Sequence, residues 1–580
     1  MCTVDIGRAG LTRLRWLACA AVLALTASCA ASTGEPEPGQ AADLPASDTN
    51  PVPRDELAPG GELLWALSML PSQWNPHHID GNTQQVETVM GALMPSAYRT
   101  DELGNAEPDP DYVLAADLDL DQGQTLTLTL NPQARWSDGS PITWRDYAGQ
   151  AEALSGEDGD YRIAGSTGYD RIASVERGVD DFQAVVTFRE PYAEYAQLFS
   201  PLLPLAYTED PDAFNTGYAE DIPVTAGPFE PAGTDPGVQS LTVRRDPDWW
   251  GEPALLNSIV FRAVPTDAQV AGLANGELDV VQLPAGPSAY RQALALDEVT
   301  VRRAIAPDIR HVTLNGGGPI LSDQRVRHAV FAAIDRTVLA ESALEGLDWP
   351  VAVQQNRFLL PSQPGYQDTS NGLGDYDTAR AERLLEEAGW ELPPGADQRS
   401  DGASATRVRD GEELVLRMPL PQGFGTARAE GELIRYMLAQ VGIEVDLEEV
   451  PGETLFSDYV IPGNFDLVAF SNVGSAFPIS ESRAQWMDAV PGDDGEPQWR
   501  NNVGRIGSAE IDAALAAAVA ETDQERAREQ LNTADRLLWE AGHTLPLYQR
   551  PEFVAVPSAL ANLGAEGLLS IDYADIGFMR

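Results

Sequence analysis

The chain of 580 residues contains no lysine, so all 38 of its basic residues are arginine. Against them stand 89 Asp and Glu, for a formal net charge of -51. A surface so poor in positive charge repels phosphates, and nucleic acid is not expected as a partner. Cysteine is nearly missing: Cys2, Cys19 and Cys29 all precede the body of the chain. That body is therefore expected to have no disulfide, no thiol nucleophile and no cysteine-ligated metal. No G-x-S-x-G, phosphate-binding P-loop or HExxH is present, and carboxylates in so acidic a chain are expected mostly as solvated surface. His77 and His78 are adjacent on a loop and point in different directions, so no metal site is assigned to them. With these motifs absent, no catalytic residue, no cofactor and no metal are expected. Hydrophobic residues at 43% are ample for a core and exclude wholesale disorder.

Long apolar runs are also lacking, apart from a short one at the start. Arg8, Arg13 and Arg15 form a basic region, residues 16–25 an apolar core too short to span a bilayer, and Thr26-Ala27-Ser28-Cys29 ends it. This resembles a bacterial lipobox, with Thr26 where leucine is usual. The expectation is a signal peptide over 1–28, lipid attachment at Cys29 and a flexible Ala-, Ser- and Pro-rich tether over 29–59. Membrane association would then run through the lipid alone.

Within the body, Thr125-Leu-Thr-Leu-Thr-Leu130 alternates strictly and predicts a strand. Ser137-Asp-Gly139 is turn chemistry, and Thr143 with Asp146 three residues on predicts a helix capping box. The stretch 222–250 predicts a hairpin: Gly227-Pro228 punctuates the backbone, Thr234-Asp-Pro-Gly237 turns it, and Leu241 and Val243 alternate with polar residues. Val326, Val330 and Ile334 recur at four-residue spacing, predicting a helix with Ser322 as N-cap. A strand at 414–418, a helix at 426–440 and a strand at 443–450 form a βαβ unit, which places the second half in the α/β class.

The order Gly-Pro-Phe strand, turn, Leu-x-Val strand, Arg245-Asp-Pro-Asp-Trp-Trp250 resembles the family 5 extracellular solute-binding proteins of peptide and nickel ABC importers. The W-S-D-G-x-P turn at Trp136 and the Asp323-Gln-Arg-Val-Arg-His-Ala329 helix are similar to that family too. The resemblance implies a two-lobed, periplasmic-binding-protein-like α/β fold of class II type with an extra α+β subdomain in the first lobe. It implies lobe I at 60–86, 220–305 and 545–580, the subdomain at 87–219 and lobe II at 306–544. Hinge crossings are expected near 222–227, near 304–308 and near Leu545.

What the resemblance implies about function is capture of a solute, such as an oligopeptide or peptide-like compound, and delivery to ABC permease subunits from the outer face of the cytoplasmic membrane. The alternative is a non-transport member of the family acting in glycolipid (mannolipid) assembly, to which Asn75-Pro-His77 and Leu93-Met-Pro-Ser96 are similar. In peptide-binding members a W-x-x-D-Y-x-x-P segment places an aspartate on the peptide ammonium group. Here the stretch reads Ser471-Asn-Val-Gly-Ser-Ala-Phe-Pro478, and Ser475 falls where that aspartate would be. A free peptide N-terminus is therefore not expected to be held at this position, which favours a neutral or N-blocked ligand, a glycan-bearing headgroup or a peptide held by its backbone. Asn472, Ser475 and Phe477, with Trp74 and Asn75 from the first lobe, are the expected ligand-binding residues.

Overall fold

The computed structural model describes residues 44–395, 404–492 and 495–580. The signal segment, Cys29 and the start of the expected tether lie outside the described residues. Residues 44–59 also belong to that expected tether, yet they are bonded to the body. Asp48 exchanges two backbone hydrogen bonds with Ala565, at 2.7 and 3.1 Å, and strand Leu57–Ala58 pairs with Gly577–Met579. Fully buried Leu57 anchors the stretch, packing with Leu255 and Ala561 and with Val52 of the same stretch.

The first lobe is built on a four-stranded sheet in which Glu62–Leu67 runs parallel to Ser258–Ala263, followed by Ser240–Arg245 and Phe229–Asp235. The predicted hairpin is thus present, and Leu241 and Val243 face the core. Trp249 and Trp250 close it against the Tyr112 ring, and the Trp250 indole donates to the Asp111 carbonyl at 2.9 Å.

The extra subdomain carries an antiparallel sheet ordered Val113–Asp119, Thr125–Leu130, Gln183–Phe188, Ile172–Arg177. Leu126, Leu128 and Leu130 are buried, as the alternation requires. Helix Trp144–Ala153 packs on this sheet and begins with the predicted capping box: the Thr143 amide donates to Asp146 Oδ2 at 2.8 Å. Asp146 also accepts from the Trp136 indole at 3.1 Å, which ties the W-S-D-G turn to the helix start. The stretch 222–227 does not cross between lobes. Thr225 and Ala226 bond to Ser137 and Leu93, so this segment joins the subdomain to the first-lobe hairpin.

In the second lobe, parallel strands Val415–Pro421 and Glu444–Val450 are linked by helix Gly425–Gln440, the expected βαβ unit. Helix Gln324–Ala333 is capped by Asp323, whose carboxylate accepts from the Arg325 amide at 2.9 Å. Ser322, expected as the cap, instead donates to the Pro319 carbonyl. An ionised Asp at the positive end of the helix dipole is the stronger cap of two adjacent candidates.

Two long strands tie the lobes together. Val299–Leu314 and Thr544–Pro557 pair antiparallel, and the pairing breaks between Ile305 and Ile309. On one side of the break Val301, Phe553 and Ala555 pack with Leu273, Leu278 and Tyr290. On the other side Val312, Leu314, Leu545 and Leu547 belong to the core of the βαβ unit. At the break Pro307 has no N–H for the ladder, and two carbonyls find other partners: Gln549 donates to Ala306 O and Gly474 to Pro307 O, both at 2.6 Å.

The extra subdomain also reaches across to the segment after strand Leu467–Val473. Glu194 accepts from the Ile479 and Ser480 amides at 2.8 and 2.7 Å, and Tyr192 donates to Ser480 Oγ at 2.9 Å. The Ala193 amide donates to Val519 O at 2.7 Å. A buried carboxylate thus completes the start of the short helix Pro478–Ser482 and clasps the two halves.

Candidate functional cleft

Beside the interlobe strands lies a cavity of about 1700 Å³, lined from both sides. This exceeds the volume of most small-molecule sites and suits an extended ligand. Its floor is the region of the pairing break: Asp308 and Arg310 from one strand, Tyr548 and Arg550 from the other. Beyond the floor, the second lobe contributes Phe424, at the start of helix Gly425–Gln440, and Phe456, which packs edge-on against Phe470 at 5.4 Å. Phe424 is 61% exposed and Phe456 45%, so these rings present apolar faces to the cavity at little cost to the core.

The arginines on the wall are already engaged. Arg310 donates from Nε to both oxygens of Glu430 at 3.1 Å, with a second contact through Nη2. Burial opposes its charge, but the Glu430 carboxylate outweighs burial and raises the guanidinium pKa. Arg550 meets Asp308 at 3.4 Å. Arg99 holds three carboxylates, Asp109 at 2.6 Å, Asp572 at 2.6 Å and Asp111 at 3.1 Å. Burial still pushes the Asp109 and Asp111 carboxyls up, despite the counter-pull of Arg99.

A second acidic group has no such cation. Glu552 Oε2 accepts from the Glu566 and Gly567 amides at 2.9 and 3.1 Å. Burial raises the Glu552 carboxyl, and burial together with the Glu552 and Glu87 charges raises that of Glu566 well above its ordinary value. Glu87, exposed on helix Gln84–Gly91, is pushed up as well by the protein displacing water around it, and all three line the cavity.

Of the residues expected from the sequence, Ser475 and Phe477 line the cavity. Ser475 Oγ accepts from the Phe477 amide at 3.0 Å, so its hydroxyl shapes the turn. Asn472 is half-buried on strand Leu467–Val473, opposite Ile309, and is not part of the lining. Trp74 and Asn75 lie in the interior of the first lobe. Trp74 is 3% exposed, and fully buried Asn75 accepts from the His77 amide and donates to Phe214 O, both at 3.0 Å. Neighbouring Pro76 does reach the cavity. Among the described residues no group of three His, Cys, Asp or Glu is arranged to hold a metal ion. Nor is any helix there long and apolar enough to cross a membrane.

Sequence reasoning missed the charged floor and the two phenylalanines. Phe424 had a signal, an aromatic residue between Gly423 and Gly425 where a strand passes into a helix. Arg310, Glu430, Glu552 and Glu566 had none, because nothing local distinguishes them from other charges in this chain.

A family model described as bacterial extracellular solute-binding proteins, family 5 middle, matches residues 110–493. The oligopeptide-binding protein OppA of Mycobacterium tuberculosis is 38% identical over 564 residues, covering 95% of this chain and 91% of that protein. LpqW of the same species, described as a probable monoacyl phosphatidylinositol tetramannoside-binding protein, is 28% identical over 465 residues, covering 76% and 72%. Among solved structures, the periplasmic EDTA-binding protein EppA superposes with a TM-score of 0.81 at 25% identity, covering 94% of this chain and all of that one.

Proposed function

Because the chain belongs to the family 5 bacterial extracellular solute-binding proteins, we propose that it captures an oligopeptide or peptide-like compound between its lobes and delivers it to an ABC import permease. Its relatives are binding proteins rather than enzymes, and the same reading assigns this chain no turnover chemistry. The observation that carries the proposal is the cavity of about 1700 Å³ over a break shared by the two interlobe strands. A peptide lying there meets aromatic walls, and closure of the lobes is favoured by whatever affinity differs between the open and closed states. In this reading lobe I comprises 60–86, 220–305 and 545–580, the subdomain 87–219 and lobe II 306–544. Ser475 and Phe477 remain proposed ligand contacts.

The reading also includes export and a lipid on Cys29 as the sole anchor at the outer face of the cytoplasmic membrane. A Cys29→Ser chain is expected in the medium, and its persistence in carbonate-washed membranes would refute the anchor. Peptide capture is tested by calorimetry with a mixed oligopeptide library, followed by small-angle scattering. A smaller radius of gyration with bound peptide is expected. The likeness to LpqW supports a second reading, binding of a mannosylated lipid in envelope assembly, over a smaller share of the chain and at lower identity. Binding of such a lipid with no response to the peptide library would favour it.

A further inference from the structure

Nine acidic residues and three arginines line the cleft. Each arginine is committed to carboxylates of the same wall: Arg99 to Asp109, Asp111 and Asp572, Arg310 to Glu430, and Arg550 to Asp308. No guanidinium is left over for an anionic ligand. Four wall carboxylates, Glu87, Glu453, Glu552 and Glu566, have no cation within ion-pair distance among the described residues. Three of them stand together: Glu552 spends one oxygen on the Glu566 and Gly567 amides, while the Glu566 carboxylate has no hydrogen-bond partner among the described residues and feels the charges of Glu552 and Glu87. The arrangement is the reverse of what stability favours, since carboxylates gathered on one wall without a counter-charge repel one another.

A separate feature of the cleft also calls for a ligand. Tyr98 lines the wall, is only 7% exposed, and its hydroxyl has no hydrogen-bond partner among the described residues. The Ser200 hydroxyl, on the same wall, is likewise buried and unpartnered. Burial holds the Tyr98 phenol protonated, so it has a proton to donate and needs an acceptor. Ammonium groups only donate, whereas peptide carbonyls accept. A polyamine satisfies the carboxylates and leaves the hydroxyls idle; a peptide bearing a basic side chain satisfies both.

Resting on the peptide-capture reading, we propose that the cleft selects basic oligopeptides, placing a lysine or arginine side chain against Glu552, Glu566 and Glu87 and backbone carbonyl groups against Tyr98 and Ser200.

The test uses the full chain and three blocked hexapeptides, acetylated and amidated at their ends, that carry two lysines, two glutamines or two glutamates at the same positions. Calorimetry is expected to show the dilysine peptide binding about tenfold or more tighter than the diglutamine one, with the diglutamate peptide weakest. This ranking should compress as salt is raised. In Glu566→Gln the lysine-over-glutamine ratio is expected to fall several-fold, and further in Glu552→Gln/Glu566→Gln. Thermal melts verify that both variants are folded, and Glu87→Gln, on an exposed helix face, provides a third variant. Tyr98→Phe is expected to weaken all three peptides alike, leaving the ratio in place. Equal affinity for the three peptides overturns the selection and leaves peptide capture standing. A lysine preference unmoved in the double variant overturns the assignment to these carboxylates. Spermine binding with no binding of any peptide overturns the peptide part, and failure of all four probes overturns both readings.

Discussion

Asp535 is a fully buried carboxylate and Glu566 a half-buried one on the cleft wall, and their surroundings differ at every point. Asp535 is fully buried in the second lobe, where Oδ1 meets Arg357 Nη1 at 2.9 Å and Oδ2 accepts from Thr369. Arg357 completes its own shell with the Thr544 carbonyl and lies over the Trp539 ring at 4.3 Å. Glu566 has acidic neighbours, and among the described residues its oxygens have no hydrogen-bond partner. The contrast separates two uses of charge in one molecule: the Asp535–Arg357 pair has its valences met inside the fold, whereas Glu566, on the cleft wall, offers its carboxylate to whatever enters.

The largest effect is expected from breaking the satisfied member. Asp535→Ala strands Arg357 in the core and should cost about 3–5 kcal/mol of stability by urea denaturation. A loss below about 1 kcal/mol would mean that the guanidinium escapes to water, and the contrast would fail. The clasp comes next: Glu194→Ala leaves the Ile479 and Ser480 amides unmet and should cost about 1–3 kcal/mol. It should also enlarge the ligand-free radius of gyration, and an unchanged radius would mean that the clasp does not set the closure.

The open member sharpens the comparison through pH. Its folded pKa is raised, so between the ordinary carboxylate value and that raised value the native state holds a proton that the unfolded state has lost. Stability therefore falls as pH rises through that window, and it is regained in acid. With Glu552, Glu87 and the Tyr573 phenol as neighbours, Glu566→Gln should add less than about 1 kcal/mol of stability near pH 7, read as a higher melting midpoint, because cleft water screens the charges. Near pH 4 the gain should vanish. A loss of stability at neutral pH would show that Glu566 has a structural partner. The smallest change in stability belongs to Phe424→Ala, within about 0.5 kcal/mol for so exposed a ring. Peptide affinity should nevertheless drop several-fold by calorimetry.

What could be read from the sequence was whatever local chemistry decides. The Leu126 to Leu130 alternation, the Thr143–Asp146 box and the βαβ unit each depend on neighbours within a few residues, and each is present. The cleft depends on residues distant in sequence. Trp74 in a polar loop has the composition of a ligand contact, but the Tyr218 backbone and the first-lobe core draw it inward. Asn75 is a turn-former bound to its own loop. Glu430 and Arg310 look like any other charges in this chain until the fold of the second lobe brings helix and strand together. Residues 44–59 look like linker because their docking rests on pairing with the far end of the chain, which no local pattern records.

The paired interlobe strands also govern when the protein can form. Even where the ladder's partners are nearest in sequence, Thr313 meets Thr544 across 231 positions, so the loop-closure entropy must be overcome before the sheet gives any return. A chain emerging through the export machinery must carry Val299–Leu314 with an open edge until Thr544–Pro557 follows, a hazard for association with other unfinished chains. Truncation anywhere before Thr544 removes the central partner of both cores at once, so the molecule is completed as a whole and only at the end.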